Sequence, residues 1–94
     1  MSTKLGFVGV TTVLTASDTA PAEGDRFTPD APETARRKYI MTATADCFVQ
    51  MNSDATTESA YIIGRLPYQI EMFGDDEMSF ITDSSATIYM TQVD

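Results

Sequence analysis

The side chains best suited to chemistry in this sequence are carboxylates, one thiol and a short basic run. The 94 residues include 14 Asp and Glu, a single Cys and no His. The absence of His removes the commonest general base, the His-containing triads and most zinc sites. One Cys cannot build a thiolate metal cage, and no His is present to activate Cys47 as a nucleophile. We therefore predict a protein that is not an enzyme and that uses no metal or cofactor.

The densest run of carboxylates is "GDDE" at residues 74–77. Hard cations such as calcium favour clustered oxygen ligands, but this spacing is not that of a calcium loop. Glycosidases use paired carboxylates, and nothing in the sequence singles out such a pair. We expect residues 74–77 to be an acidic turn in water.

Charge is divided unequally along the chain, which has a net charge of −8. Residues 1–45 hold five basic and five acidic residues, whereas residues 46–94 hold Arg65 against nine acidic residues. Nucleic-acid binding needs clustered Lys and Arg, so we expect no nucleic-acid partner. The run Arg36, Arg37 and Lys38 opens a predicted strand. It is interpreted as a solvated edge, or as a contact with the acidic half of another subunit.

The N-terminal stretch "MSTKLGFVGVTTVLT" is only partly apolar and is interrupted by Gly and Thr. It is too polar for a signal peptide and too short to span a membrane. Cys47 lies in an apolar run and is expected to behave as a small buried hydrophobe. We predict synthesis in a reducing cytoplasm and no membrane partner.

Alternation with a period of two dominates the chain and indicates strands rather than helices. The predicted strands cover residues 5–15, 36–43, 46–52, 59–63, 68–73, 78–82 and 86–93, the last two as a closing hairpin. Residues 16–35 hold three of the four prolines and are predicted to form a long loop or an extended arm. This spacing predicts one domain, 1–94, with an all-β antiparallel sandwich fold that is jelly-roll-like. Its compact core would be 36–94.

Several predicted strands carry apolar side chains on both faces, unlike a sheet with one wet face. Ile40, for example, points away from its neighbours Tyr39 and Met41. Burying one such side chain contributes about 1.5–3 kcal/mol, so we expect another chain or the 16–35 segment to cover the second face. The predicted interface residues are Phe27, Pro29, Pro32, Arg36, Arg37, Lys38, Ile40, Phe48, Ile81 and Tyr89.

An alternative function is a carbohydrate- or host-surface-binding module. Sugar-binding sandwiches stack their ligands on exposed aromatic rings. Trp is missing here, and packing within or beside strands explains Tyr39, Tyr61, Tyr68 and Tyr89.

Four stretches between residues 36 and 94 share the pattern of a known family. They are "KYIMTATADCFVQMN", "SDATTESAYI", "GRLPYQIEMF" and "MSFITDSSATIYMTQVD". In these stretches the chain resembles small β-sandwich virion proteins of tailed bacteriophages. The matching residues are Asp46, Cys47, Phe48, Val49, Leu66, Pro67, Ile81 and Thr91. Where those proteins have Gly after Leu-Pro, this chain has Tyr68.

The resemblance implies a head or neck accessory protein, or a decoration protein, without catalytic residues. We therefore expect a structural virion protein that decorates or cements the phage head. Its partners would be copies of itself and a major capsid or other virion protein. A neck or tail accessory role is the nearest variant of this prediction.

Overall fold

The computed structural model describes residues 11–22 and 25–93, which form seven antiparallel strands in two sheets. The strands are β1 (Thr11–Ala16), β2 (Arg36–Ala43), β3 (Cys47–Met51), β4 (Ala60–Ile62), β5 (Tyr68–Phe73), β6 (Met78–Ile81) and β7 (Ala86–Gln92). The prediction of an all-β, sandwich-like fold with about seven strands is confirmed. The ranges of β2 and β5 match the prediction. The last residue of β1 and both ends of β3, β4, β6 and β7 lie within one residue of it. Residues 5–10 of the first predicted strand lie outside the described residues.

One sheet has the strand order β1-β7-β2-β5 and the other has the order β4-β3-β6. Only β3 and β4 are neighbours both along the chain and within a sheet. From β4 onward, each successive strand crosses to the opposite sheet. The predicted closing hairpin is therefore wrong. β6 pairs with β3, and β7 lies between β1 and β2, because the polar residues 83–85 carry the chain across the sandwich.

Inward-facing side chains from both sheets join in one hydrophobic core. Cross-strand partners share a face, so the register sets Met41 against Met90 and Leu14 against Ile88. Met41, Met72 and Met90 have no exposed surface. Unbranched Met side chains adapt to the irregular gaps between strands, which suits a small core built from two unequal sheets.

The described part of residues 16–35 packs against its own chain. Phe27 makes an antiparallel bridge to Met78, with N–H to carbonyl distances of 3.1 and 2.9 Å. Its ring meets Tyr39 edge-on, with the ring centroids 5.0 Å apart. Farther along, a Cβ on Gly74 would lie 2.1 Å from the Pro32 carbonyl oxygen, so only Gly allows this close approach. The segment thus contributes to the core and to the β5–β6 turn.

The chain itself covers the β6 side of the outer face of the three-stranded sheet. All four residues of β6 are buried, although they alternate between the two faces. The Ser79 hydroxyl donates to the Ser53 carbonyl and accepts from the Ala55 N–H, both at 2.7 Å. These bonds hold the loop after β3 over β6. Ile81, on the same face, is 9% exposed and forms an isolated bridge with Ser17.

No helix in the part of the chain that the structure describes is long and apolar enough to cross a membrane.

Candidate contact surfaces

The apolar residues that the sequence predicts at an interface are divided between the core and the surface. Buried in this chain are Phe27, Pro29 and Ile81; wholly or partly exposed are Pro32, Ile40, Phe48 and Tyr89. Phe27 is only 4% exposed because its backbone bridge to β6 directs the ring into the core. A contact made by the folded chain can therefore use the second group but not the first.

The basic run at the start of β2 already has partners within the chain. Arg36 Nη1 lies 3.2 Å from Glu71 Oε1 on β5, and both side chains are well exposed. Arg37 donates to the Arg36 carbonyl oxygen at 3.1 Å, and Lys38 lies opposite Glu71 in the strand register. An exposed ion pair contributes about 0.2–1 kcal/mol, so Arg36 can exchange this pair for one with another subunit at little cost.

The outer face of the four-stranded sheet has three adjoining rows of side chains without a charge. The register places Thr11, Thr91, Ile40 and Gln69 in one row, Val13, Tyr89 and Thr42 in the next, and Thr15 and Thr87 in the third. We call these nine residues the threonine face. Val13, on the edge strand β1, is 60% exposed, and Tyr89, on the neighbouring β7, is 41% exposed. The paired Lys38 and Glu71 form the next row beyond Ile40 and Gln69. An uncharged and partly apolar surface of this kind can dock a protein without burying an unpaired charge.

Sequence reasoning identified Ile40 and Tyr89 of this face but missed Val13. Alternation shows that Val13 and Leu14 point in opposite directions, but not which of them points outward. The structure decides it by pairing Leu14 with the buried Ile88 and Val13 with the exposed Tyr89.

The connection between β4 and β5 exposes a second apolar group, which includes Ile63 and Leu66. The Ile63 N–H donates to the Tyr68 hydroxyl at 2.9 Å. Arg65 takes a left-handed conformation with φ of 69°, and its N–H donates to the Ala43 carbonyl oxygen. Tyr68 thus closes this turn through its side chain.

An open cavity of about 390 Å³ lies at the end of the sandwich where β3 begins and β6 ends. We call it the acceptor pocket; its lining residues are Ala45, Asp46, Phe48, Tyr61, Thr82 and Asp83. The Phe48 and Tyr61 rings have centroids 5.0 Å apart and planes inclined at 57°. Tyr61 is 56% exposed, so the pocket presents aromatic surface to the solvent.

Hydrogen bonds fix the charge of the acceptor pocket. Asp46 Oδ1 accepts from the Gly64 N–H, and Asp46 Oδ2 accepts from the Tyr61 hydroxyl at 2.6 and 2.7 Å. The Gly64 N–H first, and then the phenol, hold the pKa of Asp46 below its usual range. The hydrogen bond to Asp46 raises the pKa of Tyr61, with smaller contributions from burial and from the charges of Asp46 and Asp83. At neutral pH the pocket therefore contains an ionised Asp46 and a neutral phenol.

A wider cavity, about 500 Å³, lies between β1 and residues 21–26. Its arginine, Arg26, donates to the Pro21 carbonyl oxygen at 3.3 Å and pairs with Asp54. Because the charge of that guanidinium is already paired with Asp54, the cavity offers a ligand less than the acceptor pocket does.

The threonine face and the acceptor pocket lie on different sheets. Within residues 11–22 and 25–93, no three His, Cys, Asp or Glu side chains come together to hold a metal ion. No protein-family model, curated protein or solved structure matches this chain.

Proposed function

We propose that this chain is a non-catalytic structural protein of a tailed-phage virion, most simply a protein that decorates or cements the head. It acts by contacts with copies of itself and with the capsid lattice. The observation that carries the proposal is the threonine face, an uncharged and partly apolar sheet surface on a chain of net charge −8.

The threonine face supports assembly through both its apolar area and its lack of charge. Val13 and Tyr89 keep about half of their surface in water, and removing that surface from water contributes roughly 1 kcal/mol for each side chain. Two copies with the same negative charge repel each other least where neither presents a charged side chain. The face is therefore a favourable place for a second subunit to approach.

A jelly-roll topology is part of the proposal, and the strand order supports it. Phe27 forms a single antiparallel bridge to β6. The Phe27 position therefore lies where a fourth strand of the three-stranded sheet would be, at the edge next to β6. In chain order, β1, the Phe27 bridge, β2 and β3 alternate between the two sheets. β4 stays with β3, and β5, β6 and β7 alternate again. Eight strands arranged as two Greek keys form the jelly roll that occurs in viral capsid and lectin domains.

The proposal that the protein is not an enzyme rests on the chemistry of its residues. The sequence has no His, and Cys47 is buried. Burial, and secondly the charge of Asp46, raise the pKa of the Cys47 thiol to about 11. A thiol with that pKa is protonated at neutral pH and is a poor nucleophile.

The virion assignment rests on the resemblance of residues 36–94 to small phage proteins. A shared fold alone would not supply a function, because the same architecture serves unrelated purposes. The threonine face is consistent with such a role because a decorating subunit must fold alone and then bind through one defined surface. The partners would be other copies of the chain and the major capsid protein.

Light scattering of the purified 10.3 kDa chain tests self-assembly, and co-sedimentation with shells of the major capsid protein from the same genome tests lattice binding. We expect Val13→Asp to abolish both associations while leaving the circular dichroism spectrum unchanged. Leu66→Asp is the matched control, because Leu66 is similarly exposed but lies outside the threonine face.

Wild-type chain that stays monomeric at all concentrations and does not bind capsid shells would overturn the proposal. Equal loss of association in Val13→Asp and Leu66→Asp would show that the threonine face is not the contact surface. Binding to purified neck or tail proteins instead of shells would overturn the head assignment and favour an accessory position.

Carbohydrate binding is the second candidate, favoured by the exposed Tyr61 ring beside Asp46 and Asp83. It predicts that glycan-array binding is lost in Tyr61→Leu and kept in Tyr89→Leu. Absence of glycan binding by the wild-type chain would eliminate this candidate.

A further inference from the structure

We propose that the acceptor pocket binds the guanidinium group of an arginine side chain presented by a partner protein. The inference concerns a different surface from the threonine face and does not depend on the virion assignment. It rests on the shape of the pocket and on its balance of hydrogen-bond donors and acceptors.

The polar side chains that line the pocket have spare acceptors but no spare donor. The Tyr61 hydroxyl donates to Asp46 Oδ2, and the Thr82 hydroxyl donates to the Asp46 carbonyl oxygen at 2.9 Å. Asp46 accepts one hydrogen bond at each carboxylate oxygen, and an ionised carboxylate offers about four acceptor sites. Asp83 adds a second carboxylate. A ligand must therefore bring donors, and it need not accept any.

A guanidinium group matches this requirement better than a sugar does. Arginine presents five N–H donors and no acceptor. A sugar hydroxyl is both donor and acceptor, and the lining side chains would leave its acceptor lone pairs unsatisfied. None of the six lining residues is basic, so the described part of the pocket holds no cation that already neutralises its two carboxylates.

The aromatic pair favours a guanidinium over an ammonium group. Phe48 and Tyr61 form one wall, with ring centroids 5.0 Å apart. A planar guanidinium stacks on aromatic rings and is more weakly hydrated than an ammonium group. Asp46 is held in place by its bonds to Gly64 and Tyr61, so a fork-shaped ligand meets a carboxylate that is already oriented.

The source of the guanidinium is a protein side chain rather than free arginine. Free arginine carries an α-carboxylate, which the charges of Asp46 and Asp83 repel, and an α-ammonium group, which is strongly hydrated and would lose water in the pocket. An arginine within a polypeptide has neither group. The pocket should therefore bind Nα-acetyl-arginine N-methylamide more tightly than free arginine.

Titration of the full 94-residue chain with Nα-acetyl-arginine N-methylamide, followed by ¹H–¹⁵N correlation spectra, tests the proposal. We expect saturable shifts at Phe48, Tyr61 and Asp83 and no response to the neutral acetyl-citrulline analogue. Asp83→Asn should weaken binding by up to about fivefold, which is the upper end of the effect of one exposed ion pair. Tyr61→Leu should weaken it by a similar factor, because the stacking surface is lost.

Asp75→Asn is the matched control, since it removes the same charge from an exposed carboxylate in the turn after β5. Equal weakening by Asp75→Asn and Asp83→Asn would mean diffuse attraction to an acidic protein and would overturn the proposal.

Chemical shift changes in the pocket with methyl glucoside but not with the arginine probe would overturn the proposal in favour of a sugar. Equal affinity for Nα-acetyl-lysine N-methylamide would overturn the assignment to a guanidinium group. Tighter binding of free arginine would overturn the inference that the arginine belongs to a protein. Val13→Asp should leave the titration unchanged, which separates this test from that of the threonine face.

Discussion

Cys47 shows how the environment of one residue sets its chemistry. It has 1% of its surface exposed, and its inward direction follows from its pairing with the buried Ile62. Burial and the neighbouring Asp46 both disfavour the thiolate, so the pKa of the thiol rises to about 11. A lone thiol that would be reactive on the surface is here an apolar core group.

This pKa predicts a loss of stability at alkaline pH. The unfolded chain releases the Cys47 proton near its ordinary pKa of 9.0, whereas the folded chain keeps it until about 11. The unfolded state therefore binds fewer protons in that window, and the free energy of unfolding falls as the pH rises through it. The difference of two units between the folded and unfolded pKa values corresponds to a loss of about 3 kcal/mol at most in the free energy of unfolding.

Urea denaturation between pH 8 and pH 11 measures this effect. Cys47→Ala is expected to be less stable throughout because of the lost packing, but with a shallower decline above pH 9. Parallel curves for the wild-type chain and the variant would show that the thiol does not contribute.

At the scale of elements, the acidic turn after β5 is held by a residue from another strand end. Asn52 follows β3 with a left-handed φ of 61°. Its N–H donates to the Glu77 carbonyl oxygen at 2.7 Å, and its Oδ1 accepts from the Glu77 N–H at 2.9 Å. Its side-chain amide donates to Asp76, which also accepts from the Phe73 N–H. The Asp76 carboxylate therefore belongs to a structural turn, where the sequence predicts one.

Two substitutions of Asn52 separate its backbone role from its side-chain role. Asn52→Gly keeps the left-handed conformation and should lower the free energy of unfolding by about 1 kcal/mol through lost hydrogen bonds. Asn52→Ala adds the cost of a left-handed Cβ and should lower it by roughly 2–3 kcal/mol. Thermal and urea denaturation measure both. An alanine variant as stable as the glycine variant would contradict the role of backbone conformation.

For the whole molecule, charge and apolar area act in opposite directions on assembly. Each chain carries −8, so copies repel each other over a distance that salt shortens. The threonine face has no charge of its own. Contacts through Arg36, Arg37 and Lys38 would instead depend on attraction to acidic residues.

The sign of the salt dependence tells which contact dominates. If copies associate through the threonine face, raising NaCl from about 50 mM to about 500 mM should increase the average mass, because repulsion is screened. Pairing between the basic run and the acidic half predicts dissociation over the same range. Sedimentation velocity at several concentrations measures this directly.

The sequence by itself determined the strands, because side-chain alternation and turn residues are local properties. Residues 36–43 and 68–73 are strands at those bounds in the structure. The acidic turn and the burial of Cys47 were also predictable, since each depends on a short run of neighbours.

Only the tertiary structure decided which strands pair and which face is inside. β6 and β7 are consecutive but lie in different sheets, and no local pattern distinguishes this crossing from a hairpin. Ser79 is covered by a loop 26 residues away, and Phe27 reaches the core through a bridge to β6. Alternation divides a strand into two sets of side chains. Which set is buried depends on what packs against it, and the residues that pack there are distant in the chain.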